Sequence, residues 1–171
     1  SSLVGSEMCI RDSPYTEQFS QFLVQADNKV VINKTISAIE GNGSYIWIAV
    51  ESQGIFCYDV QSGLLKNFDL KRHDISSNIE CLKEDRNGVL WLGSYGEGLF
   101  YSKDNLKTIR EFTDDNGEKV FRDDVILKII PGAYNCLYVG SVKEGLKELS
   151  LSSGKVRDLL QIDNNLSLIH I

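Results

Sequence analysis

The sequence predicts an all-β fold, a β-propeller fragment of about three four-stranded antiparallel blades plus part of a preceding blade. Three observations carry that expectation. One phrase occurs three times, as Ile46-Trp47-Ile48-Ala49-Val50, Leu90-Trp91-Leu92-Gly93-Ser94 and Leu137-Tyr138-Val139-Gly140-Ser141. Two further columns keep step with it: a glycine seven positions after each aromatic (Gly54, Gly98, Gly145) and a large apolar residue twenty-one positions after (Phe68, Phe112, Leu159). The aromatics stand at positions 47, 91 and 138, so the repeats are forty-four and forty-seven residues long. That length suits a unit of four short strands, the repeat of a propeller blade.

The elements follow in order. Residues 1–13 and 166–171 match no repeat column and carry no strand pattern like their neighbours. Both resemble peptides translated from sequencing-adapter DNA, and the start lacks the charged and long apolar regions of a secretion signal. Both ends are therefore set aside as artefact. Residues 14–35 hold a stretch, 17–24, with Phe19 and Phe22 that reads as the outer strand of an earlier blade, followed by a link. Blade 1 takes residues 36–78, with strands at 36–39, 45–50, 54–60 and 64–68, the last pair joined by Gln61-Ser62-Gly63. Blade 2 takes 79–124, with strands at 79–83, 89–93, about 97–102 and 106–112. Its first turn, Asp85-Arg86-Asn87-Gly88, ends in Asn-Gly, which supplies the positive φ angles that a tight hairpin requires. Blade 3 takes 125–165, with strands at 125–130, 136–140, 145–151 and 155–159 separated by Pro131-Gly132 and Ser152-Ser153-Gly154. Three blades are fewer than the four to eight of a closed ring, so the remaining blades of a parent propeller are expected as partners, and the lateral faces should be sticky.

Composition narrows the function classes. With 42% hydrophobic and 25% charged residues in 171, the chain reads as an ordinary globular protein. No apolar run approaches the roughly 20 residues that cross a bilayer, so direct membrane insertion is not expected. The net charge of −6 argues against nucleic acid as a partner, because that binding rests on clustered Lys and Arg. Outside the ends, Cys57, Cys81 and Cys136 are too few and too far apart for a disulfide framework or a metal site, and read as small buried hydrophobes.

The spans DRNGVLWLGSYGEGLFYSKD, with Ile79 and Leu82 ahead, and YIWIAVESQGIFCYD resemble the two-component regulator propeller repeat. That repeat runs as an Ile-x-x-Ile pair, Asp-x-x-Gly, Leu-Trp-Ile-Gly-Thr, then Gly-Gly-Leu and an aromatic. The resemblance covers about residues 36–160. Departures are Ala49 for the motif glycine, Tyr138 for the tryptophan, and Pro131-Gly132 in place of an acidic turn. The resemblance implies the extracytoplasmic, hence periplasmic, sensor region of a bacterial hybrid histidine kinase of the Bacteroidetes kind. Such regions commonly recognise oligosaccharides and work as homodimers. It implies no catalysis in these residues, so His73 is not read as a phosphorylated histidine.

Candidate chemistry is sparse. Gly93, Gly96 and Gly98 mimic a phosphate loop, but no helix pattern follows and the corresponding spans in the other blades keep only some of the glycines, so a strand turn explains them. Residues 113–124 carry Asp114, Asp115, Asp123 and Asp124 yet lack the EF-hand order, and read as a hydrated loop. No cofactor and no metal is called for. Topology points further than motifs do. In a four-strand meander, the links from second to third strand and from blade to blade emerge on one face. That face should gather Arg72, His73, Tyr95, Glu97, Arg122, Asp123 and Lys143 as ligand-binding candidates around a central funnel. Two other functions stay open: a propeller enzyme, a lyase or glycan-acting protein using His73 beside Asp74 or Asp123, and a scaffold for protein partners.

Overall fold

The computed structural model describes residues 32–76, 78–162 and 168–170. The segment 1–13 and the expected outer strand 17–24 lie outside the described residues. Thirteen strands are described. They form three antiparallel sheets in which spatial order equals chain order, so each sheet is a meander. Blade 1 consists of β1 (Ile36–Gly41), β2 (Tyr45–Val50), β3 (Gly54–Asp59) and β4 (Leu65–Phe68). A 3₁₀ turn, Leu70–His73, leads on to blade 2: β5 (Ile79–Glu84), β6 (Leu90–Ser94), β7 (Leu99–Ser102) and β8 (Arg110–Glu111). Blade 3 holds β9 (Ile126–Pro131), β10 (Cys136–Ser141), β11 (Gly145–Ser150) and β12 (Val156–Ile162), with β13 (Leu168–His170) added outside.

The two tryptophans of the aromatic column pack between blades as expected, while Tyr138 is only partly buried. Trp47 and Ala49 of blade 1 join Leu82, Leu90, Leu92 and Phe100 of blade 2 in one buried cluster. Trp91 and Leu99 of blade 2 join Ile129, Leu137, Val139 and Leu149 of blade 3 in a second. In both blades the apolar residue twenty-one positions on leans against the tryptophan. The Trp47–Phe68 and Trp91–Phe112 ring centroids are each 6.1 Å apart, at 57° and 60°. Tilted aromatic pairs in this range hold a junction beyond what area burial alone supplies.

The glycine column has its own cause. Gly54 and Gly145 open the third strands with φ of +87° and +72°, and a Cβ on Gly54 would lie 2.5 Å from the Phe68 carbonyl oxygen. Positive φ and a crossing backbone together leave room for glycine only.

Three expectations need correction. The fourth strand of blade 2, expected over 106–112, is confined to Arg110–Glu111. Asn105 and Leu106 both adopt positive φ, 56° and 64°, which turns the chain so that Leu106 is buried in the junction with blade 1. Ser102 Oγ accepts from the Leu106 amide at 2.9 Å and fixes that turn. In blade 3 the apolar column falls on Leu160, not Leu159, because β12 shifts register between the Leu146–Leu160 and Lys147–Asp158 pairs. Finally, residues 168–170, which carry no strand pattern like their neighbours, nonetheless pair antiparallel with β12.

Candidate functional site: the link face of the blades

The first strands β1, β5 and β9 are neighbours from blade to blade and mark the inner edge. The links meet at one end of the sheets, as the meander requires. Tyr95, just after β6, donates its amide to the Asn78 carbonyl at 2.8 Å, and Gly96 donates to the Asp124 carbonyl at 3.1 Å. Ser52 of the β2–β3 link donates its amide to Asn78 Oδ1 at 2.9 Å. Each strand-to-strand link is thus pinned to the blade-to-blade link beside it.

Two carboxylates do most of the pinning. Asp124 is fully buried, and its carboxylate accepts from the amides of Val125 (2.7 Å), Lys143 (2.9 Å) and Glu144 (3.0 Å). Glu97 reaches across to Ser76, accepting from its hydroxyl and, at 3.1 Å, from its amide. Buried carboxylates are tolerated where donors saturate them, and here the donors are the link backbones. Topology places both on the link face, and only Glu97 was a ligand-binding candidate. The structure gives both a bracing role.

The seven candidates divide into two groups. His73, Glu97, Arg122 and Asp123 line one groove of about 560 Å³, together with Asp74. Its floor is Phe100 and Ile109, and its outer wall is the Glu111–Lys119 ion pair. Tyr95 and Lys143 lie elsewhere, near the inner edge: Tyr95 bridges to Val125 at the start of β9 and remains 62% exposed. Arg72 is exposed on the 3₁₀ turn and does not line the groove. Among the described residues the candidates thus fall in two places, an outer groove with His73 and Arg122 and an inner rim with Tyr95. The cause is the 3₁₀ turn, capped by Asp69 accepting from the Lys71 amide at 3.1 Å, which swings His73 and Asp74 over the outer half of blade 2. Phe100, Ile109, Glu111 and Lys119 escaped the sequence reading because they sit on β7, β8, the connection between them and a distant loop.

The other candidate chemistry resolves into structure. Asp114 accepts from the amides of Asn116 and Glu118 at 2.9 and 2.8 Å, an Asx-type turn inside the 113–124 loop. Burial pushes the Cys57 thiol up to about 11 and the Cys81 thiol up to about 12, so both stay protonated and unreactive. Among the described residues no cluster of His, Cys, Asp or Glu has metal-site geometry, and no helix is long and apolar enough to cross a membrane.

Residues 74–96, from Asp74 at the groove through β5 and β6 to Gly96, match the family described as two component regulator propeller. That match spans the start of blade 2, through β5 and β6. Solved structures agree on the fold. The extracellular domain of the putative hybrid two component system BT4673 from B. thetaiotaomicron superposes with a TM-score of 0.60 at 17% identity, covering 79% of this chain and 19% of that one. The corresponding domain of BT3049 from the same organism gives 0.54 at 21%, covering 75% and 15%. PorZ, a surface component of the type-IX secretion system of Porphyromonas gingivalis, gives 0.59 at 16%, covering 84% and 23%. This chain thus spans about a fifth or less of the length of the hybrid-system domains it resembles. Among curated proteins none matches it. At these identities the likeness establishes the propeller fold, and the repeat then accounts for the Asp-x-x-Gly and Leu-Trp-x-Gly phrases of blade 2. Asp85 Oδ1 accepts from the amides of Asn87 (2.8 Å) and Val89 (3.0 Å), while Oδ2 accepts from the Trp91 indole at 2.9 Å. The motif's acid ties its own hairpin to its own tryptophan.

Proposed function

We propose that this chain is part of the non-catalytic, periplasmic sensor propeller of a hybrid two-component receptor, and that its link face binds a saccharide. The observation that carries the reading is the two-component regulator propeller repeat at residues 74–96, which includes Asp74 and Tyr95 of that face. The likeness in fold to extracellular domains of two putative hybrid two-component systems supports the placement. The groove supports the ligand class: an apolar floor of Phe100 and Ile109 under hydrogen-bonding groups from His73, Arg122 and Asp123 suits a sugar's alternation of C–H faces and hydroxyls. A ligand that signals must bind two receptor arrangements unequally, and a homodimeric receptor whose propellers shift against each other would supply them. Kinase chemistry would then reside elsewhere in the parent protein.

Calorimetry of the receptor's periplasmic region against a panel of oligosaccharides tests this. Binding to at least one sugar is expected, weakened about tenfold or more by Arg122→Ala, the loss of a hydrogen bond from a charged donor. Absence of heat across the whole panel would overturn the saccharide reading.

A further inference from the structure

We propose that Asn42, in the β1–β2 hairpin, is a site of covalent self-modification: its side-chain amide converts through a cyclic imide to aspartate and isoaspartate, and the new carboxylate loosens the junction of blades 1 and 2. The sequence holds three Asn-Gly pairs, Asn42-Gly43, Asn87-Gly88 and Asn116-Gly117. Each asparagine has the same unhindered neighbour, so local sequence does not rank them. The structure does.

The reaction asks three things of the fold. The glycine N–H must be free to lose its proton, the side-chain carbonyl must be ready to take up negative charge, and the imide ring needs room. Gly88 donates its amide to the Asp85 carbonyl at 3.1 Å and Gly117 to the Asp114 carbonyl at 3.0 Å, so both nitrogens are occupied in closing their turns. The Gly43 amide has no acceptor among the described residues. Asn42 Oδ1 accepts from the amides of Ser44 at 3.0 Å and Tyr45 at 2.9 Å. Two amides aimed at that oxygen stabilise the charge it gains when the carbonyl carbon is attacked, as an oxyanion hole does. Gly43 has a φ of +86° and nothing within 4 Å of where a Cβ would stand, so the ring meets no neighbour.

Water is the only co-reactant. The Gly43 nitrogen bonds to Asn42 Cγ, the Cγ–Nδ2 bond breaks, and ammonia leaves with the proton that the Gly43 nitrogen gave up. Water then opens the imide at either carbonyl, giving aspartate or, with the main chain rerouted through Cγ, isoaspartate. Nδ2 donates to both Glu84 oxygens, at 3.0 and 2.8 Å, and so ties the blade 1 hairpin to β5 of blade 2. Those bonds resist loss of the nitrogen, but they stand against a free nucleophile and two donors on the oxyanion. After the reaction a carboxylate faces the Glu84 carboxylate. Lys83 is already paired with Glu40 at 2.8 Å, and Glu40 also accepts from the Glu84 amide at 3.3 Å. A bond across the junction thus becomes a repulsion between like charges.

The test holds the full chain at pH 9, folded and in urea, and follows each Asn-Gly pair by peptide mass spectrometry, with isoaspartate read by enzymatic methylation. In urea the three pairs should convert alike. In the folded chain Asn42 should run about tenfold ahead of Asn87 and Asn116, whose bonded glycine amides hold them below their urea rates, and isoaspartate should be among its products. Asn42→Asp, which carries one product, should lower the urea midpoint of the full chain. Conversion of Asn42 no faster than that of Asn116 in the folded chain would overturn the site, as would aspartate formed without isoaspartate, the mark of hydrolysis that bypasses the imide. A midpoint unchanged in Asn42→Asp would overturn the effect on the junction.

Discussion

At the scale of single residues, acidic side chains decide how this chain holds its turns and junctions. Asp85 satisfies two backbone amides and one indole with a single carboxylate, so removing it frees three donors, one of them on a nearly buried tryptophan. Asp85→Ala is expected to destabilise the chain by about 2–3 kcal/mol, and Asp85→Asn by less because one acceptor oxygen survives. Urea unfolding of both variants checks the order, and equal losses would show that the turn bonds and not the acceptor count set the effect. The Lys147 ammonium, 7% exposed between blades 2 and 3, pairs with Asp158 and with Glu144 at 3.0 Å. Burial alone would pull Lys147 down, but these partners outweigh it and hold its pKa above the ordinary value, while the bond from Lys147 holds Asp158 low. The depressed Asp158 contributes stability that is present above its unfolded pKa of about 3.9 and lost as pH falls through the lower folded value. The raised Lys147 contributes fully below its unfolded pKa of about 10.4, and that share is lost only as pH climbs past it. Unfolding free energy should therefore drop on acidification from pH 5 to pH 2, and Lys147→Met should make that drop smaller. An unchanged acid limb in Lys147→Met would remove this pair from the account.

At the scale of strands and sheets, the repeat columns mark where blades approach most closely. Gly93 on β6 has no side chain because Ile126 of blade 3 occupies the space: a Cβ there would lie 2.6 Å from Ile126 Cγ2 and closer still to Cys81 Sγ. Blade 1 carries Ala49 at the same repeat position, buried without conflict. Gly93→Ala is therefore expected to cost about 1–3 kcal/mol through overpacking, whereas Ala49→Gly should cost about 0.5–1 kcal/mol through backbone freedom. Thermal melts of the two single variants compare them directly, and a neutral Gly93→Ala would mean that the junction can open. Most strand positions were legible in the sequence because the aromatic and glycine columns report local geometry. The extent of β8 was not, since the left-handed Leu106 is selected by burial against another blade and not by local preference. The bulge that moves the apolar column to Leu160 was hidden for a like reason: both neighbours are leucine. The candidate site was half legible. Topology located the link face, yet the split between the His73 groove and the Tyr95 rim depends on a 3₁₀ turn, and Glu97 was absorbed by Ser76, a partner twenty-one positions away.

At the scale of the whole molecule, the apolar surface left uncovered has a direction. Ile126 and Ile129 on β9 are buried against blade 2, while Leu127 and Ile130 on the same strand are 56% and 54% exposed. On β1, Ile36 and Ile39 are 52% and 65% exposed although Ala38 between them packs toward blade 2. Tyr138, which stands where Trp47 and Trp91 are buried, is only partly covered, and Glu148 holds its hydroxyl while Arg157 pairs with Glu148 at 3.0 Å. Blade 3 thus turns a face with the repeat's aromatic position toward solvent, as a blade does when the next one is not packed on it. Surfaces of this kind drive association, so the full chain should sediment as a concentration-dependent mixture of monomer and larger species between micromolar and hundred-micromolar concentrations. Ile39→Lys combined with Ile130→Lys places a charge on each exposed strand without touching either core cluster, and should shift the mixture toward monomer with little change in unfolding free energy. Association that persists unchanged in the double variant would assign self-contact to the polar link face instead, the surface on which the saccharide reading depends.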